Sequence, residues 1–402
     1  VAIQGLRTTA NWIANARPES WRQNISLLYI NGQAPLTALT TLMKEQETTD
    51  PHFHWFEKGQ QTYRVQITTS LNNTDVTTSL VLTSGALAFK LGDILLIEHT
   101  NEIVVVSADP TADTGLTVTR GFAGTTKTAL TIGSVNPFAT HIGSCYEEGS
   151  LAPVGIAFDP TEAYNYTQIF RDTHEITGTA AQTEVRTGDE WKEQKREALE
   201  KHSFGMEKAF WFGVRSLGTR NGKPLRTTGG VLQGIPSGNK HTYSAAVTMG
   251  AFEEDLYKMF QYGSNEKMGF CGNRALLTMQ QLVRKTGGVN YNITSGEKEY
   301  GMNVTRFMCP FGTLVLKTHP MFNLMGSVVG TYAAMDAAIV ALDMDQIKYR
   351  YLRGRDTKYQ TDLQEIGADA KKNGYITECG IAMGHAKTHY AIFGLTSAAA
   401  EA

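Results

Sequence analysis

Apolar and aromatic residues recur at three- and four-residue steps through Trp191, Ala198, Leu199, His202, Met206, Ala209, Phe210 and Leu217. The opposite face carries Lys192, Glu193, Arg196, Glu197 and Glu200, so residues 187–218 are predicted to form one long amphipathic helix. Thr187 and Glu190 have capping-box spacing, in which hydroxyl and carboxylate satisfy free backbone N–H groups at a helix start. A helix well beyond the average of about 11–12 residues needs an equally long apolar surface to lie on. That surface has to come from the sequence on either side, which reads as β.

Upstream, residues 1–52 read as an arm interrupted by Pro18, Gly32, Pro35 and Pro51. One short helix is expected over 35–46, with Leu36, Leu39, Leu42 and Met43 on one face. From Phe53 the period becomes two, as Tyr63, Val65 and Ile67 alternate with Arg64, Gln66 and Thr68. Residues 86–145 read as a small barrel or sandwich, with strands over 93–98, 102–107 and 116–120. Extended chain is expected again over 150–186, through Tyr164-Asn165-Tyr166-Thr167-Gln168-Ile169-Phe170. Beyond the long helix and Gly229-Gly230, helices are expected at 251–262 and 273–285, and strands at 302–307 and 313–318. The tail reads as antiparallel strands at 339–342, 347–352, 361–367, 376–382 and 389–393. The fold class is therefore α+β with an inserted β domain.

Charge narrows the function classes. With 37 Lys+Arg against 39 Asp+Glu the net charge is −2, so any contact with nucleic acid should be weak, local and sequence-independent. Charged residues are 19% of the chain, below the roughly 25% typical of soluble domains, which favours a surface partly covered by neighbours. Cys145, Cys271, Cys309 and Cys379 form no CxxC pair and read as buried free thiols in a reducing cytoplasm. No signal peptide and no apolar run near the roughly 20 residues of a membrane span stands out.

No motif makes a convincing catalytic or cofactor case, so neither an enzyme nor a cofactor or metal is expected. Gly121–Thr128 has the look of a phosphate loop, but Thr126 stands where glycine must precede the lysine, and a β-turn is the better reading. His385 and His389 have zinc-helix spacing without the adjacent glutamate, in a strand-like context. His52 and His54 read as packing or surface residues, Glu147-Glu148 and Glu253-Glu254 as solvated carboxylates, and Asn165-Tyr166-Thr167 as a sequon without consequence.

Several short segments, in order and spacing, resemble the major capsid proteins of tailed phages, the fold named after phage Hong Kong ninety-seven. They are Phe53-His54-Trp55-Phe56-Glu57, Gly92-Asp93-Ile94-Leu95 with Thr119-Arg120-Gly121, and Tyr164 to Phe170. His202 to Glu207, Leu352-Arg353-Gly354-Arg355-Asp356 and Tyr375-Ile376-Thr377-Glu378 complete the set. The resemblance covers nearly the whole chain and is strongest to the branch with a β domain inserted in its extended loop. It implies an arm (1–52), an extended loop (53–85, returning over 146–186) and the inserted domain (86–145). It further implies a spine helix with peripheral domain (187–239), an axial domain (240–330) and C-terminal β segments (331–402).

The implied function is a shell: hexamers and pentamers of an icosahedral head around double-stranded DNA, built in the host cytoplasm, with scaffold, portal and decoration proteins as partners and no membrane. Inter-subunit contacts are expected from Arg17, Trp21 and Arg22 on the arm and from Trp55, Glu57 and Lys58 at the loop base. Arg353, Arg355 and Asp356 are expected as a charged cluster, since Arg forks suit carboxylates at interfaces. The alternatives are an encapsulin-type compartment, opposed by the large insertion, and a β-rich adhesion protein, opposed by the long helix.

Overall fold

The structure, a computed structural model, describes residues 39, 42–61, 63–133, 136–183, 189–285, 293–299, 302–324 and 335–399. The chain begins with β1 (Lys44–Thr48), β2 (His52–Glu57), β3 (Arg64–Gln66), β4 (Thr77–Val81) and β5 (Asp93–Ile97). Then come β6 (Glu102–Val106), β7 (Gly115–Thr119), β8 (Phe138–Ser144), β9 (Thr161–Tyr166) and β10 (Gln168–Thr177). A short α1 (Gly178–Gln182) precedes the long α2 (Glu190–Phe212), the hairpin β11 (Ser216–Arg220) and β12 (Lys223–Thr227), and α3 (Val231–Gly234). Next are β13 (Lys240–Thr242), α4 (Met249–Met259), β14 (Glu266–Cys271), α5 (Asn273–Lys285), β15 (Ile293–Glu299) and β16 (Met302–Cys309). The last elements are β17 (Gly312–Thr318), α6 (Pro320–Leu324), β18 (Ile339–Leu342), β19 (Ile347–Leu352), β20 (Lys358–Gln360), β21 (Ala370–Met383) and β22 (Tyr390–Phe393).

Two units divide the chain, one spanning Phe56–Thr161 and the other formed by the residues on either side of it. In the flanking unit, one sheet runs β1-β19-β21-β10, with β20 also on β21. β10 and β21 pair antiparallel over ten residues, from Gln168 opposite Cys379 to Thr177 opposite Ala370. A second sheet of seven strands runs β13-β22-β18-β14-β17-β16-β15. β18 is buried on both faces: Ile339 and Ala341 join one core with Phe252, Leu256 and Met279 of α4 and α5. Val340 and Leu342 join another with Phe210 and Trp211 of α2. Strands covered on both sides read as continuous apolar runs, which is why Ile339-Val340-Ala341-Leu342 lacks alternation.

α2 lies along β10 in the opposite sense. His202 reaches Asp172 at 3.1 Å and Thr377 Oγ1 at 2.7 Å, and Trp191 packs on His174 with ring centres 4.5 Å apart. Its cap is Asp189, whose carboxylate accepts the N–H of Trp191 (3.1 Å) and Lys192 (3.3 Å). The expected cap residue Thr187 lies outside the described residues. The helix stops at Gly213, five residues short of the expected end. A Cβ there would meet the carbonyls of Ala209 and Thr228, the latter at 2.6 Å, because Gly230 N–H donates to Gly213 O. Leu217, expected in the helical stripe, instead sits in β11.

Other local readings change in the same way. Leu39 and Leu42 are helical, but residues 44–46, expected in the same helix, belong to β1, which pairs parallel with β19. Residues 361–367 form no strand: β20 ends at Gln360, and Asp362 (φ 58°) and Gly367 (φ 92°) turn the backbone into the left-handed region. Residues 178–182 are helical, not extended. Cys271 and Cys379 are buried thiols as expected, whereas Cys145 is exposed and Cys309 half-buried.

In the unit of Phe56–Thr161, six strands run β3-β8-β5-β6-β7-β4. The outer strands meet through Thr68 N–H to Val81 O (2.8 Å), Thr83 N–H to Gln66 O (3.1 Å) and a bridge between Ile67 and Leu82. The sheet is thereby a closed barrel, filled by Ile67, Leu80, Leu82, Leu95, Val104, Leu116 and Val118 among others. β3 and β4 belong to it, so the β domain starts well before the expected residue 86. At one end Arg120 and Glu102 are fully buried and joined at 2.9 and 2.6 Å, and Arg120 also donates to Thr128 O at 2.8 Å. The glycines of the phosphate-loop lookalike serve this clamp: Gly121 (φ 69°) donates its N–H to Glu102 at 3.2 Å.

Candidate subunit interface

Three extended pieces of the chain have little covering them. β2 and β9 form a two-stranded ribbon, and β11 and β12 another. Between β8 and β9, residues 151–160 run without any ladder, yet carry Leu151 at 92% and Val154 at 70% exposure. An isolated ribbon is marginally stable in water, and exposed apolar strips of this kind mark contact surfaces.

On the β2–β9 ribbon the His52 ring packs at a tilt against His54 (ring centres 4.0 Å) and Tyr166 (4.7 Å), and His54 is paired with Glu162. Phe53, on the other face, is buried beside Trp55 with ring centres 6.1 Å apart. Of the residues expected at the loop base, Trp55 and Glu57 are half-buried on β2 and Lys58 donates to Phe158 O at 2.8 Å. Arg17, Trp21 and Arg22 lie outside the described residues.

Arg353, Arg355 and Asp356 occupy the turn between β19 and β20 but hold three separate partners. Arg353 meets Glu47 at 3.2 Å with most of its side chain exposed, and Arg355 meets the buried Glu378 at 2.6 Å. Asp356 accepts from Tyr349 at 2.9 Å, and burial first, with Cys379 and Asp356 nearby, pushes that phenol far above its ordinary pKa. Sequence spacing cannot find these partners, because Glu47 and Glu378 are brought in by β1 and β21 on either side of β19.

The firmest polar anchor of the flanking unit was not singled out from sequence. Glu207 of α2 is fully buried and accepts from Leu39 N–H (2.8 Å), Trp211 Nε1–H (3.2 Å) and His319 Nε2 (3.0 Å). It ties the chain leaving the N-terminal segment to the helix and to α6. His385 and His389 do not share a strand: His385 is left-handed (φ 44°) at the start of a 3-10 turn. His389 is buried, accepts Asp343 N–H at 3.2 Å and is pushed down to about 4 chiefly by that burial. Among the described residues no three His, Cys, Asp or Glu side chains converge as a metal site. The arrangement is one of edges, ribbons and anchored cores, with chemistry suited to holding surfaces together.

Comparison with known proteins agrees. The major capsid protein of Pseudomonas phage PaMx41 is 29% identical over 359 residues, covering 86% of this chain and 80% of that protein. Among solved structures, the capsid of an empty GTA particle matches 97% of this chain and 100% of its own at 9% identity, with a TM-score of 0.49. The capsid of Myoviridae phage XM1 covers 98% and 100% at 8% identity, with a TM-score of 0.45. A family model described as SU10 major capsid protein matches residues 2–396, and the chain belongs to that family.

Proposed function

We propose that this phage major capsid protein assembles as hexamers and pentamers of an icosahedral head around double-stranded DNA. In that reading the barrel unit is carried as an insertion in the extended loop, α2 is the spine helix, and the seven-stranded sheet with α4 and α5 is the axial domain. The work is mechanical and needs no catalytic residue. The observation that carries this reading is the exposed chain of residues 151–157, with Leu151 and Val154 in water and no ladder partner. A free monomer gains nothing from exposing such a strip; a neighbouring copy would bury it. Arg17, Trp21, Arg22, Trp55, Glu57, Lys58 and Arg353 remain the proposed contact residues, and Arg355 and Asp356 would act through the turn they brace. Scaffold, portal and decoration proteins would bind the same shell, and DNA would touch it weakly.

Hydrogen exchange on assembled and dissociated protein tests this. Backbone amides of 151–160 should be protected at least about tenfold more in the assembly, on the usual link between exchange and local opening. Equal exchange in both states would remove this segment from the interface and with it the argument for the shell built on it.

A further inference from the structure

From Lys208 to Phe252 the sequence contains no Asp or Glu, but holds Lys208, Arg215, Arg220, Lys223, Arg226 and Lys240. In a chain of net charge −2 this leaves −8 for the rest, since −2 less these 6 is −8. The β11–β12 hairpin is the exposed part of that run. Its turn, Asn221-Gly222, has both residues left-handed (φ 52° and 70°), the geometry that suits tight hairpins. Arg220 and Lys223 stand directly opposite each other across that turn, and like charges so placed repel. Leu217 and Leu225 are half exposed on the two strands. Among the described residues, Arg220, Lys223 and Arg226 have no carboxylate partner.

The complement lies at the other end of the same helix. Residues 361–369, between β20 and β21, contain Asp362, Glu365 and Asp369 and no Lys or Arg. None of the three carboxylates has an ion-pair partner among the described residues. Between them Ile366 stands wholly in solvent, more exposed than any other large apolar residue of the protein that the structure describes. Backbone bonds hold the loop in shape: Leu363 N–H to Lys372 O (2.8 Å), Asp362 N–H to Asn373 Oδ1 (3.0 Å) and Ala368 N–H to Glu365 O (3.1 Å). The loop adjoins the start of α1 through Gly178 N–H to Asp369 O (3.2 Å), and β10, which leads into α1, meets the start of α2 through His174 on Trp191. The hairpin adjoins the end of α2, through Gly230 N–H to Gly213 O (2.8 Å). The 23 residues of α2 between these two regions span about 35 Å, at 1.5 Å per residue.

We propose that the acidic loop 361–369 of one copy docks on the basic β11–β12 hairpin of the next, with Ile366 against Leu225, which shares a face with Arg220 and Lys223. Two different, complementary patches at opposite ends of a rigid bar make a head-to-tail contact, which closes into rings when the rotation between copies permits. The contact rests on the shell reading above and specifies one of its joints. A phosphate backbone would also attract the hairpin's cations, but it leaves Leu225 and the solvent-borne Ile366 uncovered.

Charge reversal tests the pairing in the full chain. Arg220→Glu with Lys223→Glu, and separately Glu365→Lys with Asp362→Asn, which keeps a side chain suited to φ 58°, alter only exposed side chains, so circular dichroism and melting should match wild type. Each double variant should associate at least about tenfold more weakly in sedimentation and electron microscopy, the usual scale for lost charge pairs. The chain carrying all four changes should associate more tightly than either double variant, because the charge at position 365 again opposes those of the hairpin. If wild type forms rings or shells and either double variant matches it, the pairing is wrong while the shell reading stands. Failure of the fourfold variant to recover would equally overturn it, as would a hairpin variant that assembles normally but loses bound DNA. A wild-type chain that stays monomeric would sink the shell reading and this joint together.

Discussion

Glu207 and His319 are hydrogen-bonded at 3.0 Å with neither side chain reaching water. His319 Nδ1 already accepts Met321 N–H at 3.2 Å, so its proton sits on Nε2 and is donated to the carboxylate. Replacing His319 by Phe keeps the ring packed against Trp211 and Phe322 but removes one of the donors to a buried carboxylate that Leu39 N–H and Trp211 Nε1–H still hold. The expected loss is about 1.5–3 kcal/mol, the range for a hydrogen bond to a charged group. Glu207→Gln keeps an acceptor for Leu39 N–H and should cost only about 1–2 kcal/mol. Urea unfolding of both variants measures this, and equal losses would show that the carboxylate is not what the histidine serves.

Arg120 and Glu102 offer the same test in the barrel. Glu102→Leu alone leaves a guanidinium buried among carbonyls and should cost the barrel about 3–5 kcal/mol. Glu102→Leu combined with Arg120→Met removes both charges and should recover most of that loss. Calorimetry on the three chains decides it. A double variant as unstable as the single one would mean the pair fixes the fold of 120–128 and not merely its own charges.

Acid should weaken the unit holding β22 through His389. Burial lowers its folded pKa to about 4 from an ordinary 6.5, so below 6.5 the unfolded chain binds a proton that the folded chain refuses. Stability is then full above pH 6.5 and falls as pH drops towards 4, by about 3 kcal/mol for a shift of this size. Denaturation across that range checks it. His389→Gln should flatten the loss, and an unchanged slope would place the acid sensitivity elsewhere.

What could be read in the sequence was local. The stripe from Trp191 to Phe210 gave α2, and β18 and β19 were legible because an apolar run (Ile339-Val340-Ala341-Leu342) and an alternation of Ile347, Tyr349 and Tyr351 with Lys348 and Arg350 are local signals. The same stripe overran to Leu217, since periodicity carries no sign that Gly213 passes against Thr228 O. Residues 361–367 were read as a strand only as part of a β-rich tail, although Asp362 and Gly367 turn the chain there. A barrel or sandwich was expected over 86–145, but the part of β3 and β4 in closing it was not, because closure depends on three-residue β3 meeting the end of β4. The partners of Arg353 and Arg355 were hidden for the same reason. They lie across strand registers, and Glu47 and Glu378 are neighbours of β19 only once the sheet exists.

The most direct measurement is electron microscopy of the purified chain after sedimentation at rising concentration. Rings of five and six or closed shells are the predicted outcome, with residues 151–160 covered by an adjacent copy in the map. A monodisperse monomer at every concentration and salt, with those residues packed on their own chain, would contradict the account.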